Sequence, residues 1–143
     1  MGCAPLCKCT SPDTPIATPS GERSIAELRP GDLVYSVDHN AIRAVPIART
    51  NRIAVSGHEV VRVRFATGAV LEVSGTHPTA DGRRFYDLEA GDELDHISVV
   101  AVERIPYSFP YTYDILPASS TGAYFAGGAL IGSTLAPSSY GPP

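Results

Sequence analysis

The amino-acid sequence predicts one all-β domain assembled from two related halves. Three observations lead there. Val, Ile, Thr and Tyr dominate the segments between 13 glycines and 13 prolines, so short strands joined by turns are expected. A Gly turn, a Leu and a Gly-Asp pair recur in the same order in both halves. All three cysteines lie in the first nine residues, so disulfides do not hold the body together. At 143 residues the chain is long enough for one core.

Taken in order, Asp13 to Thr18 joins β-branched residues to Pro15 and reads as an edge or first strand. Pro19-Ser20-Gly21 is a turn. Ser24 to Leu28 reads as one helical turn, with Ser24 as cap and Glu27 three residues on. Pro30-Gly31-Asp32 ends it, and Leu33 to Asp38 alternates as a strand before the turn Asp38-His39-Asn40. Arg43 to Ile53 and His58 to Ala66 flank Val55-Ser56-Gly57 as longer strands. Thr67-Gly68 turns the chain into Val70 to Val73. Phe85 to Leu88 is a second helical turn, closed by Ala90-Gly91-Asp92. Strands are expected within Glu93 to Ile105, Tyr111 to Leu116, Tyr124 to Gly127 and Ala129 to Ile131. Leu135 to Pro143 is rich in Pro, Ser and Gly and reads as a tail.

The repeat sets Thr18, Gly21, Leu28 and Gly31-Asp32 beside Thr79, Gly82, Leu88 and Gly91-Asp92, with spacings that agree within one residue. Each copy reads strand, Gly turn, short helical turn, Gly-Asp turn, strand. Two copies sharing a buried face make a pseudo-twofold β domain.

The net charge of −4 argues against nucleic acid or an anionic membrane as main partner. No segment has the roughly 18 consecutive apolar residues of a membrane span, and Met1 to Leu6 lacks the regions of a secretory signal. A monomer is expected. Cys3, Cys7 and Cys9 match no zinc spacing, so neither a metal nor another cofactor is expected. Met-Gly-Cys resembles an acylation start, but Leu6 stands where Ser or Thr is wanted. The cysteine cluster points weakly to a secreted or lipid-anchored bacterial protein. Cys3 and Cys7 read as incidental.

Cys9 differs from them in its setting, a short polar turn ahead of a β-type run. A thiol directly after a peptide bond can attack the preceding carbonyl, that of Lys8, through a five-membered ring, exchanging an amide for a thioester. The fold must then protonate the departing nitrogen and stabilise the oxyanion. His77, in a polar turn ahead of Pro78, is a candidate proton donor, since an unperturbed histidine titrates near pH 6.5; read alone it is a turn histidine. Ser74, three residues earlier, could bring a hydroxyl to the same carbonyl. Asp114 is an acid in an apolar strand and could take or relay the Cys9 proton; read alone it lies on a polar strand face. His39, His58 and His96 have no polar constellation and read as turn or surface residues.

Together these residues resemble the Hint superfamily of inteins, bacterial intein-like domains and the Hedgehog autoprocessing domain. The first block is Cys9, Thr14, Gly21 and Gly31-Asp32; the second is Ser74-Gly75-Thr76-His77-Pro78, with Ser where the family has Thr; the third is Tyr113-Asp114-Ile115 followed by Tyr124-Phe125-Ala126-Gly127-Gly128. The resemblance implies a Hint-type horseshoe of two pseudo-twofold β subdomains over residues 9–134, with 1–8 as upstream peptide and 135–143 as a flexible tail. It also implies Cys9, Ser74, His77 and Asp114 as catalytic residues. The pattern departs at the end: Gly132-Ser133-Thr134 stands where a splicing intein has His-Asn before its second nucleophile. Ser133 has no side-chain amide to cyclise, so full splicing is not expected.

Two functional readings are open. The first is single-turnover autoprocessing: an N–S acyl shift at Lys8–Cys9, with the chain's own N-terminal peptide as substrate and water or an external nucleophile resolving the thioester. The second is a catalytically inactive Hint-fold binding or structural module of a secreted or surface protein. A cysteine protease acting in trans fits poorly, because Cys9 does not open a helix that would lower its pKa.

Overall fold

The computed structural model describes residues 9–136, so the expectations for Met1–Lys8, including Cys3 and Cys7, and for the tail beyond Ala136 lie outside the described residues. Within them run eleven strands: β1 Pro15–Thr18, β2 Gly21–Ser24, β3 Leu33–Asp38, β4 Ala41–Ala54, β5 Glu59–Phe65, β6 Val70–Val73, β7 Glu93–Leu94, β8 Ile97–Pro106, β9 Tyr111–Pro117, β10 Tyr124–Ala126 and β11 Ala129–Ile131. Two 3₁₀ turns, Ile25–Glu27 and Phe85–Asp87, lie between them. Among the described residues no helix is long and apolar enough to cross a membrane.

The strands form sheets ordered β11-β10-β1-β2, β3-β4-β9 and β6-β5-β8-β7. All these pairings are antiparallel. The long β4 pairs with β3 through its first half and with β9 through its second, after a register shift between Ile47 and Arg49. β8 runs alongside β5 with a matching shift between Arg64 and Phe65. Such shifts let one strand bend from one sheet into the next. Ile16, Val34, Val63, Phe65, Leu71, Phe85, Ile115, Tyr124 and Ile131 meet in one core. Their burial is the main favourable term for the fold.

Two expectations need correction. The helical turn at Ser24 has no side-chain cap; its amides at Ile25 and Ala26 instead donate to the carbonyls of Thr14 and Pro12. The polar stretch Gly21–Ser24 is a strand, paired with β1.

The repeat is present in the hydrogen bonds. Asp32 accepts from the Arg29 amide at 2.9 Å and Asp92 from the Glu89 amide at 2.8 Å. Gly31 and Gly91 donate to Ile47 and Val99, whose amides return to Asp32 and Asp92. Both glycines have positive φ, +95° and +99°, which only glycine adopts cheaply. His39-Asn40 and Asp95-His96 make matching tight turns with positive φ at both residues.

The symmetry reaches further than the sequence repeat. The Ser11 amide donates to the Glu72 carbonyl, and the Ser74 amide donates to the Cys9 carbonyl. Thr10 and Val73 face each other between these bonds. Cys9, Thr10 and Ser11 therefore correspond to Glu72, Val73 and Ser74, and the pseudo-twofold axis passes between Thr10 and Val73. The next turns agree: the Thr14 amide donates to the Ser11 carbonyl, and that of His77 to the Ser74 carbonyl. β5 likewise corresponds to β9, because Val61 pairs with Val73 as Tyr113 pairs with Thr10.

Candidate functional site

Cys9 is fully buried beside the pseudo-twofold axis. Its carbonyl accepts the Ser74 amide at 2.9 Å. On its other side, Thr10 exchanges both backbone hydrogen bonds with Tyr113, at 2.7 and 2.8 Å. Antiparallel register then sets Cys9 opposite Asp114. The structure thus brings Cys9, Ser74 and Asp114 onto three adjacent backbone segments. His77 joins them through the turn that starts at Ser74.

That turn needs Gly75. A Cβ there would stand 2.1 Å from the ring of Tyr86, whose amide donates to the Gly75 carbonyl. His77 is buried, with Phe85 edge-on at 6.0 Å between ring centroids. Its Nε2 lies 2.7 Å from the Gly132 carbonyl oxygen. A carbonyl can only accept, so Nε2 carries the proton.

Ser74 is also buried, and its hydroxyl has a partner that the sequence does not point to. Oγ lies 2.9 Å from Nε2 of His58. This corrects His58 as well: it is a half-buried partner of Ser74, set edge-on to Tyr107 at 5.8 Å. Burial pushes its pKa below 6.5, against the opposing pull of the Glu59 carboxylate. His39 and His96 are exposed turn residues, as expected.

Asp114 is buried, and both its oxygens are occupied. Oδ1 accepts from the Tyr124 hydroxyl at 2.6 Å and from the Ile115 amide at 2.9 Å. Oδ2 accepts the Thr134 amide at 2.8 Å and the Thr134 hydroxyl. Asp114 therefore ties the strand opposite Cys9 to Thr134, a residue to which the sequence assigns no clear role. Burial, reinforced by Asp114, pushes the Tyr124 hydroxyl well above its ordinary pKa; the nearby Cys9 adds to this. Burial also raises Tyr107, with a smaller contribution from Cys9.

Tyr124, Thr134 and His58 are the residues that sequence reasoning misses as parts of this arrangement. Tyr124 and Thr134 carry a signal in the third block and the terminal pattern. His58 carries none, because only the pairing of β5 with β6 brings it to Ser74.

The terminal segment is closely packed against the turn after His77 and against β9. A Cβ at Gly132 would lie 3.1 Å from the Thr79 carbonyl oxygen and 3.2 Å from Pro78 Cγ, so this close approach favours glycine. Ser133 donates its hydroxyl to the Ile115 carbonyl at 2.7 Å. Beside it opens a cleft of about 1150 Å³, walled in part by Thr76, Pro78, Arg84, Ser119, Thr121 and Thr134. Among the described residues no group of three or more His, Cys, Asp or Glu is arranged to hold a metal ion.

This curled pseudo-twofold architecture defines a Hint-fold domain. The Hint domain family model matches residues 8–77. Solved structures agree. A DnaB intein from Synechocystis sp. PCC 6803 superposes with a TM-score of 0.75 at 14% identity, covering 90% of this chain and 99% of that one. A bacterial intein-like domain from Clostridium thermocellum gives 0.73 at 18% identity, covering 88% of this chain and 97% of that one. The zinc-bound splicing domain of the Msm DnaB1 intein gives 0.71 at 22% identity, covering 86% and 98%. No curated protein sequence matches the chain. The chain thus resembles the Hint domains over residues 8–77 and has the fold that these inteins and the intein-like domain share.

Proposed function

We propose that residues 9–134 form an autoprocessing domain that performs an N–S acyl shift at the Lys8–Cys9 bond, with 1–8 as upstream peptide and 135–143 as tail. Cys9 Sγ attacks the Lys8 carbonyl carbon. The C–N bond breaks, a proton passes to the Cys9 nitrogen, and a thioester replaces the amide. Water or an external nucleophile then takes the acyl group and restores the thiol. The observation that carries this reading is the burial of Cys9 beside the Ser74–His77 turn and opposite Asp114.

Within it, His77 protonates the leaving nitrogen. Because Nε2–H is directed to Gly132, that proton comes from Nδ1 of the protonated ring. Ser74 contributes a donor toward the carbonyl oxygen. Asp114, held by Tyr124 and Thr134, is the carboxylate on the strand opposite Cys9 that receives the thiol proton. Splicing through Asn cyclisation is not part of this reading, since Ser133 cannot form a succinimide.

Intact mass tests it. Wild type incubated with a small thiol or hydroxylamine is expected to lose Met1–Lys8, while Cys9→Ala retains it. Retention by wild type under every condition would sink the proposal. A second reading, an inactive binding module, draws on the cleft of about 1150 Å³ beside Thr134, and that retention is the result it expects.

A further inference from the structure

We propose that His58 is a positioning residue for the acyl shift: it donates its Nε2 proton to Ser74 and so directs the Ser74 hydroxyl at the carbonyl ahead of Cys9. This rests on the autoprocessing reading and assigns it a residue outside the family's motif blocks.

Ser74 is the hub of the candidate site. Its amide donates to the Cys9 carbonyl and its carbonyl accepts the His77 amide, each at 2.9 Å. Its hydroxyl is what remains to be oriented. A hydroxyl has one proton and rotates freely about its C–O bond unless a partner fixes it. His58 is that partner, with Nε2 at 2.9 Å. The ring is itself held: the Tyr107 ring packs edge-on against it, and the Tyr107 amide donates to the His58 carbonyl at 2.8 Å. Tyr107 is anchored in turn by its hydroxyl, which donates to the Tyr111 carbonyl at 2.6 Å.

The direction of the hydrogen bond decides what Ser74 can do. With the proton on Nε2, His58 donates, and the Ser74 proton is available to a developing oxyanion. With the proton on Nδ1, Ser74 must donate to His58, and its one proton is committed. The other half of the molecule shows the arrangement without a histidine. There Ser11 turns its hydroxyl inward, 3.1 Å from Thr14 Oγ1 and 3.0 Å from Asp13. By the correspondence of β5 with β9, the counterpart of His58 is Pro110, which has no side-chain donor. The histidine therefore belongs only to the half that carries His77.

The experiment combines ring NMR with cleavage kinetics on the full chain. Long-range ¹H–¹⁵N spectra are expected to show His58 as the Nε2–H tautomer, with shifts that move in Ser74→Ala. His58→Phe keeps a ring against Tyr107 but has no donor; it is expected to slow thiol-induced peptide release about tenfold, the effect of one lost hydrogen bond. His58→Gln, which retains an N–H, recovers most of the rate. In a Ser74→Ala background, His58→Phe is expected to cost nothing further. An Nδ1–H tautomer overturns the proposal, as does an equal loss from His58→Phe with and without Ser74. If wild type releases no peptide, the autoprocessing reading falls, and the tautomer alone decides whether His58 orients Ser74.

Discussion

Cys9 and Glu72 occupy corresponding places in two copies of one β unit, on either side of the axis between Thr10 and Val73. Their surroundings differ in every respect except the backbone. Glu72 is half-exposed and pairs with Arg62 at 3.1 Å. Cys9 is fully buried, and Asp114, the counterpart of Arg62, is buried opposite it. The adjoining turns diverge in the opposite sense. Ser11 and Thr14 satisfy each other within their turn, whereas Ser74 and His77 reach out to His58 and to the Gly132 carbonyl.

The difference separates scaffold from chemistry. A solvated ion pair such as Arg62–Glu72 contributes little, about 0–1 kcal/mol. A buried carboxylate is costly unless its lone pairs are filled, and Asp114 has donors on both oxygens. Groups of this kind concentrate at functional sites. The site therefore draws on both halves: the buried Cys9 and Asp114 come from one, and the outward-reaching turn of Ser74 and His77 comes from the other.

Substitutions at corresponding positions should break this contrast most visibly at Cys9 and Glu72 themselves. Cys9→Ala is expected to abolish release of Met1–Lys8 by intact mass, while Glu72→Ala leaves release intact and lowers stability by less than about 1 kcal/mol. At the two turns, His77→Ala should slow release by about 10²-fold or more. Thr14→Ala should instead cost about 1–2 kcal/mol in denaturant unfolding and little in rate, because its hydroxyl serves only Ser11.

The buried acid gives the next effect. Asp114→Asn keeps the shape but turns one acceptor into a donor facing Tyr124 or Thr134, so a loss of about 1–3 kcal/mol is expected by thermal unfolding. Alkaline pH probes the same cluster. The folded state holds the Tyr124 pKa above its ordinary value of 10.0, so its contribution is present below pH 10.0 and is lost as pH rises beyond it. Tyr124→Phe should flatten that alkaline slope. The smallest difference is expected where the halves agree: Asp32→Ala and Asp92→Ala each remove one bond to an exposed backbone amide, and the solvated Arg23–Asp32 pair at 3.8 Å adds little. Their costs should match within about 0.5 kcal/mol, and a larger gap would show that the two turns are not equivalent.

Much of this frame can be read along the chain. Leu33–Asp38, Val70–Val73 and Ala129–Ile131 are strands with the expected ends, because apolar spacing and flanking turn residues mark them. Gly21–Ser24 escapes that reading: Gly-Glu-Arg-Ser has neither alternation nor β-branched residues, and it is a strand because β1 supplies its hydrogen bonds. The place of the split between β7 and β8 escapes it too, since Asp95-His96 turns without a glycine.

The resemblance to the Hint motif blocks singled out Cys9, Ser74, His77 and Asp114, while local chemistry alone determined the many short strands and the paired Gly-Asp turns. These depend on φ/ψ preference and on residues close together in the chain. Only the tertiary structure decided that Glu72 is the counterpart of Cys9, that Asp114 holds Thr134, and that the hydroxyl of Ser74 meets His58. Each joins segments that the chain separates and that antiparallel pairing alone brings together, and residue order carries no direct record of which buried polar group will meet which.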